Sequence, residues 1–126
     1  MAAARKVLIA DDEPNVVTSL EFLMKGCDYE VRVARDGEEA MRLAQDFRPD
    51  LLLLDVMMPV CDGLEVCRRI RADPAIRAIR IVILTAHGRE TDVARGLALG
   101  ADAYITKPFS NKELVAKVRS LLQPAP

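Results

Sequence analysis

The sequence contains no tryptophan, one histidine and three cysteines among its 126 residues. Cys27, Cys61 and Cys67 are odd in number and lack CxxC spacing, which argues against a disulfide framework and against a zinc site. Because reduced thiols are typical of the cytoplasm, we expect a cytoplasmic protein.

Long apolar runs are also missing. The existing runs, such as the four leucines at residues 51–54, are far shorter than the roughly 18 residues that indicate a membrane span. Basic residues do not cluster with aromatic residues, and the formal net charge is −1. The sequence therefore does not predict a basic surface for nucleic acid, and we expect no direct binding of nucleic acid or membrane.

The length and composition indicate one globular domain. Hydrophobic residues make up 51% and charged residues 29% of the chain, a balance typical of a protein with one packed core. We expect a single domain over residues 1–126, with a core from about residue 6 to residue 122. Residues 123–126 read as a tail or the start of a linker.

Short apolar runs rich in β-forming residues alternate with longer segments of helical period. This pattern is typical of a parallel sheet with helices on both faces. The predicted strands are residues 7–10, 31–34, 51–54, 81–84 and 103–105. Right-handed crossovers leave few topologies, and the flavodoxin-like strand order 2-1-3-4-5 suits five strands. The expected fold is therefore α/β, a doubly wound five-stranded parallel sheet in a three-layer (βα)5 sandwich.

Local signals mark where helices begin and end. Pro14 suits the first turn of a helix, and Gly26 and Gly100 are expected at helix ends in left-handed conformations. Two capping pairs are predicted, Asp36 with Glu39 and Ser110 with Glu113.

Chemically active side chains follow several predicted strands. Asp11 and Asp12 come after the first strand, Asp55 after the third, Thr85 after the fourth and Lys107 after the fifth. In an open α/β sheet the ligand crevice lies beyond the carboxyl ends of the strands. If the first and third strands are neighbours, three carboxylates converge there. Two such charges about 4 Å apart repel by roughly 4 kcal/mol at an effective dielectric near 20, so a cation is needed.

Oxygen ligands without histidine or cysteine favour a hard cation, and we expect Mg²⁺ at Asp11, Asp12 and Asp55. Lys107 supplies a second positive charge. A carboxylate beside a metal ion and an ammonium group can attack phosphorus, so Asp55 is predicted to carry a phosphoryl group. The Thr85 hydroxyl can donate a hydrogen bond to one oxygen of that group.

These residues, in this order and on this strand pattern, resemble the response-regulator receiver domain of two-component signalling, a CheY-like family. The resemblance runs from about Lys6 to Leu122. Its motifs are residues 9–13, 54–59, 62–63, 85–86 and 107–109. Cys61 departs mildly from the family pattern, which usually has a larger apolar residue there.

The resemblance assigns roles to the acidic residues. It implies that Asp55 accepts a phosphoryl group from a sensor histidine kinase or a histidine phosphotransfer protein. It also implies that Mg²⁺ is held by Asp12, Asp55 and the backbone carbonyl of Met57, with Asp11 helping through water. Lys107 is then expected to contact the phosphoryl group.

The resemblance further implies a switch. Thr85 moves toward the phosphoryl group, Tyr104 follows into the vacated space, and the surface of the fourth helix, fifth strand and fifth helix changes for a downstream effector protein or domain. Phosphorylation-dependent homodimerisation through this surface is left open. The Lys107–Pro108 bond is expected to be cis. A weaker hypothesis is that His87 and Met57 line the path of the hydrolytic water.

Three other functions compete. A phosphatase of the haloacid dehalogenase type places a general acid two residues after its nucleophile, where this chain has Met57. A flavodoxin-like binder needs a phosphate-cradling loop after the first strand, where this chain has Asp11, Asp12 and Glu13. A phosphorylation-independent docking domain is the main alternative, and the complete acid, hydroxyl and lysine set disfavours it. We therefore expect no enzymatic turnover beyond self-phosphorylation from a phosphodonor and autodephosphorylation.

Overall fold

The computed structural model describes residues 4–86 and 89–122, in which five strands alternate with five helices. The strands are β1 (Lys6–Ala10), β2 (Glu30–Ala34), β3 (Leu51–Asp55), β4 (Arg80–Ala86) and β5 (Ala103–Lys107). The helices are α1 (Pro14–Gly26), α2 (Gly37–Asp46), α3 (Gly63–Ala72), α4 (Glu90–Ala98) and α5 (Asn111–Leu122). The predicted tail at residues 123–126 and the hypothesis about His87 fall outside the described residues.

The sheet is parallel throughout, with the order β2-β1-β3-β4-β5. This confirms the predicted fold class and strand order. Ala10 pairs with Leu54, Asp55 with Leu84, and Thr85 with Thr106. Because the register keeps the strand ends level, the residues at these ends share one edge of the sheet.

Alternate residues of the central strands point to opposite faces, and each face has its own apolar cluster. One cluster joins β1, β3 and β4 to α2 and α3, with Leu8, Leu52 and Ile81 among its buried sheet residues. The other joins the same strands and β5 to α1 and α5. All five residues of β3 are buried, as expected for a strand covered on both faces.

The strands extend beyond the predicted apolar runs. Asp55 is the last residue of β3, Thr85 lies within β4, and Lys107 ends β5. The apolar runs predicted that all three would follow their strands. The difference arises because ladder hydrogen bonds define a strand, and they continue past the last apolar residue.

Two of the predicted helix starts have the expected caps. The Asp36 side chain accepts a hydrogen bond from the Glu39 amide at 2.8 Å, and the Ser110 hydroxyl accepts one from Glu113 at 3.0 Å. The capping box at Asp36 is only half formed. The Glu39 carboxylate accepts a hydrogen bond from the Arg35 amide instead of from the Asp36 amide.

α1 ends at Gly26, as predicted, but only one of the two glycines has the predicted left-handed conformation. Gly100 adopts φ 108°, as expected, but Gly26 is still helical and Asp28 is the left-handed residue, with φ 66°. The Tyr29 amide donates to Met24 O and the Asp28 amide to Lys25 O, which is the pattern of a Schellman cap. Aspartate tolerates this conformation better than most residues, so glycine was not required.

The connection from β3 to α3 is packed closely against its surroundings. A Cβ added to Gly63 would lie 2.3 Å from the Asp55 carbonyl oxygen. Val60 has φ 72°, and the Cys61 amide donates to Pro59 O at 2.8 Å, which makes a tight three-residue turn. This conformation is strained for a β-branched residue. The connection therefore has two points of restricted backbone, Val60 and Gly63, and Gly63 packs directly against Asp55.

Among the described residues, the structure contains no helix of the length and apolarity that crossing a membrane requires.

Gly63→Ala should destabilise the protein by about 1–3 kcal/mol, because the new methyl group has to displace the backbone of Asp55. Gly26→Ala is the matched control, since nothing lies within 4 Å of its added Cβ. The control should be neutral or gain up to about 1 kcal/mol from helix propensity. Urea unfolding of the two variants measures both values, and equal stabilities would contradict the close approach at Gly63.

Candidate functional site

Acidic side chains gather at the carboxyl edge of the sheet. Asp11 directly follows β1 and is fully buried, and Asp55 at the end of β3 is 4% exposed. Asp12 is exposed beside them. One carboxylate oxygen from each of these three residues lies within 4.8 Å of the others. The register of β1 with β3 thus brings together the three carboxylates for which the sequence predicted convergence.

Local hydrogen bonds orient two of the carboxylates. Asp11 Oδ1 accepts from the Glu13 amide at 2.9 Å, and Asp55 Oδ1 accepts from the Met57 amide at 3.3 Å. Both donors lie two residues after their acceptor, which is the geometry of an Asx turn. The backbone therefore turns sharply after β1 and β3 and leaves both carboxylates at the edge.

Lys107 connects the site across the sheet. Its Nζ lies 2.9 Å from Asp11 Oδ2, 3.2 Å from Glu13 Oε1 and 3.5 Å from Asp55 Oδ1. Its side chain is only 16% exposed, so these contacts are partly shielded from water. Sequence reasoning assigned no role to Glu13. Its position directly after the aspartate pair was a signal, but only the fold shows that Lys107 reaches it.

The positive charge of Lys107 does not fully offset the negative charge of the site. Burial, and then the negative charge of Asp11, raise the pKa of Asp55 to about 6, although Lys107 and the Met57 amide act in the opposite direction. Burial opposes the charge of Lys107, but its hydrogen bond to Asp11 and its attraction to Asp55 prevail and raise its pKa above the ordinary value. One ammonium group thus stabilises its partners without neutralising the cluster.

The donor set fits a hard divalent cation. The three clustered groups offer carboxylate oxygens only, and neither nitrogen nor sulfur ligands are among them. Such oxygen sites suit Mg²⁺, which keeps several waters and accepts one or two carboxylates. The raised pKa of Asp55 supports this fit, because a second positive charge would favour the ionised carboxylate.

Thr85 and Tyr104 face a common cavity of about 220 Å³. Thr85 is 3% exposed, and its hydroxyl lies 3.5 Å from Ala86 O. Tyr104 is 45% exposed, so its ring is largely outside the protein core. Arg89 also lines this cavity, and sequence reasoning gave that residue no role. The Lys107–Pro108 bond nearby is cis, which confirms the expectation.

Comparison with known proteins finds a matching family and a curated relative. Residues 7–119 match the family described as response regulator receiver domain. The chain is 44% identical over 119 residues to the alkaline phosphatase synthesis transcriptional regulatory protein PhoP of Bacillus subtilis (strain 168). The match covers 94% of this chain and 49% of PhoP, so the chain spans about half the length of that curated relative.

Two solved structures are similar over nearly their whole length. Chemotaxis protein CheY4 of Vibrio cholerae has a TM-score of 0.88 at 32% identity, covering 95% of this chain and 100% of that one. The receiver domain of a sensor histidine kinase from Pseudomonas aeruginosa PAO1 has a TM-score of 0.86 at 33% identity, covering 94% and 98%. That structure has a magnesium ion coordinated in its active site cleft.

Asp55→Asn should stabilise the metal-free protein near neutral pH. The folded-state pKa of about 6 exceeds the ordinary value of 3.8, so the folded protein holds this proton more tightly than the unfolded chain. Stability therefore falls as the pH rises through that window, by on the order of 2–3 kcal/mol for the full shift. Asparagine does not titrate, so the advantage of the variant should be large above about pH 7 and small at about pH 4.

Urea unfolding in the presence of a chelator, repeated across this pH range, measures the difference between variant and wild type. Asp12→Asn is the control, because Asp12 is exposed and its charge is better solvated. A gain for Asp55→Asn that does not change with pH would contradict the raised pKa.

Proposed function

The chain belongs to the response regulator receiver domain family, and on this premise we propose that Asp55 accepts a phosphoryl group from a phosphohistidine. Members of this family interact with histidine kinases and effectors, and they act as phosphate-accepting switches. The donor here would be a sensor histidine kinase or a histidine phosphotransfer protein. The observation that carries the proposal is the buried Asp55 carboxylate with the Lys107 ammonium 3.5 Å away.

In the proposed transfer, one Asp55 carboxylate oxygen attacks the phosphorus atom. The phosphorus–nitrogen bond of the donor breaks, and its electron pair returns to the imidazole nitrogen. Lys107 offsets negative charge on the oxygens of the transferred group, and the Thr85 hydroxyl donates a hydrogen bond to one of them. Asp55 must be ionised to attack, and Lys107 favours that form.

The proposal includes a bound Mg²⁺. Asp12, Asp55 and the Met57 backbone carbonyl would hold it, with Asp11 acting through water. When bound, the ion would supply the positive charge that the carboxylate cluster lacks and would offset charge on the phosphoryl oxygens. The all-oxygen donor set supports this assignment, as does the magnesium ion in the similar Pseudomonas receiver domain.

Phosphorylation would be transmitted through Thr85 and Tyr104. Movement of the Thr85 hydroxyl toward the phosphoryl group would leave room for Tyr104 in the cavity of about 220 Å³ that both residues line. Tyr104 also lines a larger groove between α4 and α5, together with Leu97 and Lys117. A downstream effector that reads this α4-β5-α5 surface would then sense the position of the tyrosine. Homodimerisation through the same surface remains part of the proposal as an alternative output.

Turnover of an external substrate is not part of the proposal. The haloacid dehalogenase chemistry requires an acid at position 57, and the methionine there cannot donate a proton. A docking domain that takes no phosphate is the second candidate function. Such a domain would not need two buried carboxylates beside Lys107, because burying these charges costs stability. Three free cysteines fit the cytoplasmic location included in the proposal.

Incubation with Mg²⁺ and acetyl phosphate should add one phosphoryl group to the wild type and none to Asp55→Asn, because the amide is not a nucleophile toward phosphorus. Intact-mass spectrometry measures the adduct. Omitting Mg²⁺ should reduce it strongly, since the acidic cluster would then repel the donor.

A receiver domain of known reactivity, treated in parallel, controls for the quality of the donor. If it is modified while this wild type is not, the docking-domain function replaces the phosphorylation switch. An adduct that persists in Asp55→Asn would assign the phosphoryl group to another residue.

Thr85→Ala should still take up phosphate but should fail to move Tyr104. Because the chain has no tryptophan and two tyrosines, the quenching of tyrosine fluorescence by a soluble quencher measures the exposure of these two rings. Phosphorylation of the wild type should protect one tyrosine from quenching, and Tyr104→Phe should abolish that protection. Equal protection in Thr85→Ala and the wild type would remove the threonine from the switch.

A further inference from the structure

Met57 lies two residues after Asp55, beside its carboxylate. Its amide donates to Asp55 Oδ1 at 3.3 Å, so its backbone is fixed beside the carboxylate. The side chain itself is 60% exposed, whereas Asp55 is 4% exposed. A methionine side chain has three rotatable bonds and, when exposed, keeps one position only if another group contacts it.

Arg89 provides that contact. Its Nε and Nη2 lie 2.6 Å and 2.5 Å from Asp92 Oδ2, and Nη2 also lies 3.5 Å from Met57 Sδ. The Asp92 side chain is only 12% exposed and that of Arg89 is 42% exposed, so the carboxylate side of this ion pair is shielded from water. The guanidinium group is planar and rigid, and fixing two of its nitrogens fixes its direction. Asp92 therefore orients Arg89 toward Met57.

We propose that Arg89, oriented by Asp92, holds the Met57 side chain across the mouth of the pocket and thereby slows hydrolysis of phosphorylated Asp55. Arg89 is in this sense a positioning residue that acts through Met57. The inference rests on the proposed phosphorylation of Asp55.

The hydrolysis that this arrangement retards has a defined course. A water oxygen forms a bond to phosphorus, the bond between phosphorus and the Asp55 oxygen breaks, and its electron pair remains on the carboxylate. The proton of the water passes to solvent, and inorganic phosphate leaves. The attacking water has to approach in line with the breaking bond. A methionine fixed at the pocket mouth restricts that approach, whereas a mobile one opens it intermittently.

Two simpler roles for Arg89 make different predictions. As a mere partner of Asp92 at the start of α4, it would affect stability but not the phosphoryl lifetime. As a direct ligand of the phosphoryl group, it would act through its charge, and lysine could replace it. A positioning role requires the fork of the guanidinium group, because lysine cannot contact Asp92 and Met57 from one rigid plane.

The first test compares phosphoryl lifetimes. The wild type, Arg89→Ala, Met57→Ala, the double variant and Arg89→Lys are phosphorylated with acetyl phosphate, freed of donor and followed by intact mass. Each alanine variant should lose phosphate about three- to tenfold faster than the wild type, and the double variant no faster than the faster single one, because both changes remove the same contact. Arg89→Lys should behave like Arg89→Ala. Arg95→Ala, an exposed arginine of α4, is the control and should match the wild type.

The second test needs no phosphate. With ¹³C-methyl methionine, the unmodified protein should show a Met57 methyl resonance that shifts and sharpens in Arg89→Ala and in Asp92→Asn, while the resonances of Met24 and Met41 stay in place. Met57→Ala assigns the signal. An unchanged Met57 methyl in Arg89→Ala would disprove the contact and with it the inference.

The outcomes separate this inference from the proposed function. Normal phosphate uptake with equal lifetimes in the wild type and Arg89→Ala overturns the positioning role alone, and so does restoration of the wild-type lifetime by lysine. A wild type that takes up no phosphate overturns the proposed function and this inference together.

Discussion

Repulsion among carboxylates at one edge of the sheet is the constraint on which the other features of this site depend. Asp11 and Asp55 are almost completely buried, and a third carboxylate lies within 4.8 Å. Lys107 contacts both buried acids, but the pKa of Asp55 still lies at about 6 because burial and Asp11 outweigh it. A domain of ordinary stability tolerates such strain only if the rest of the fold holds the groups in place.

The fold supplies that restraint through backbone rather than through side chains. β3 is buried along its whole length, so the direction of Asp55 is set by a strand that cannot shift. Directly after it, Gly63 allows α3 to approach the Asp55 carbonyl closely, and the strained turn at Val60 returns the chain toward α3. The acidic site therefore stands on buried and closely packed backbone, which is what a preorganised electrostatic site needs.

The residues around the site are less constrained, and they link it to the surface. Thr85 and Tyr104 line one cavity, and Arg89 lines the same cavity while contacting Met57. Under the proposed function, phosphorylation of Asp55 would act on the start of α4 by two routes, through the threonine and through the arginine. The two routes use different residues, so they can be separated by substitution.

The sequence by itself determined the alternation of strands and helices and the identity of the acidic, hydroxyl and lysine groups, because apolar periodicity and the residues at strand ends are local properties of the chain. The strand order followed from these elements only with the rule that crossovers are right-handed. The sequence could not determine how these groups interact. Lys107 is 96 residues from Asp11, and Arg89 is 32 residues from Met57, so neither contact exists until the sheet and its helices assemble. The left-handed conformation at Asp28 instead of Gly26 had the same origin, since several backbone hydrogen bonds together selected the left-handed residue. The pKa of Asp55 was likewise decided by the tertiary structure, because it depends on burial and on neighbours that only the folded chain provides.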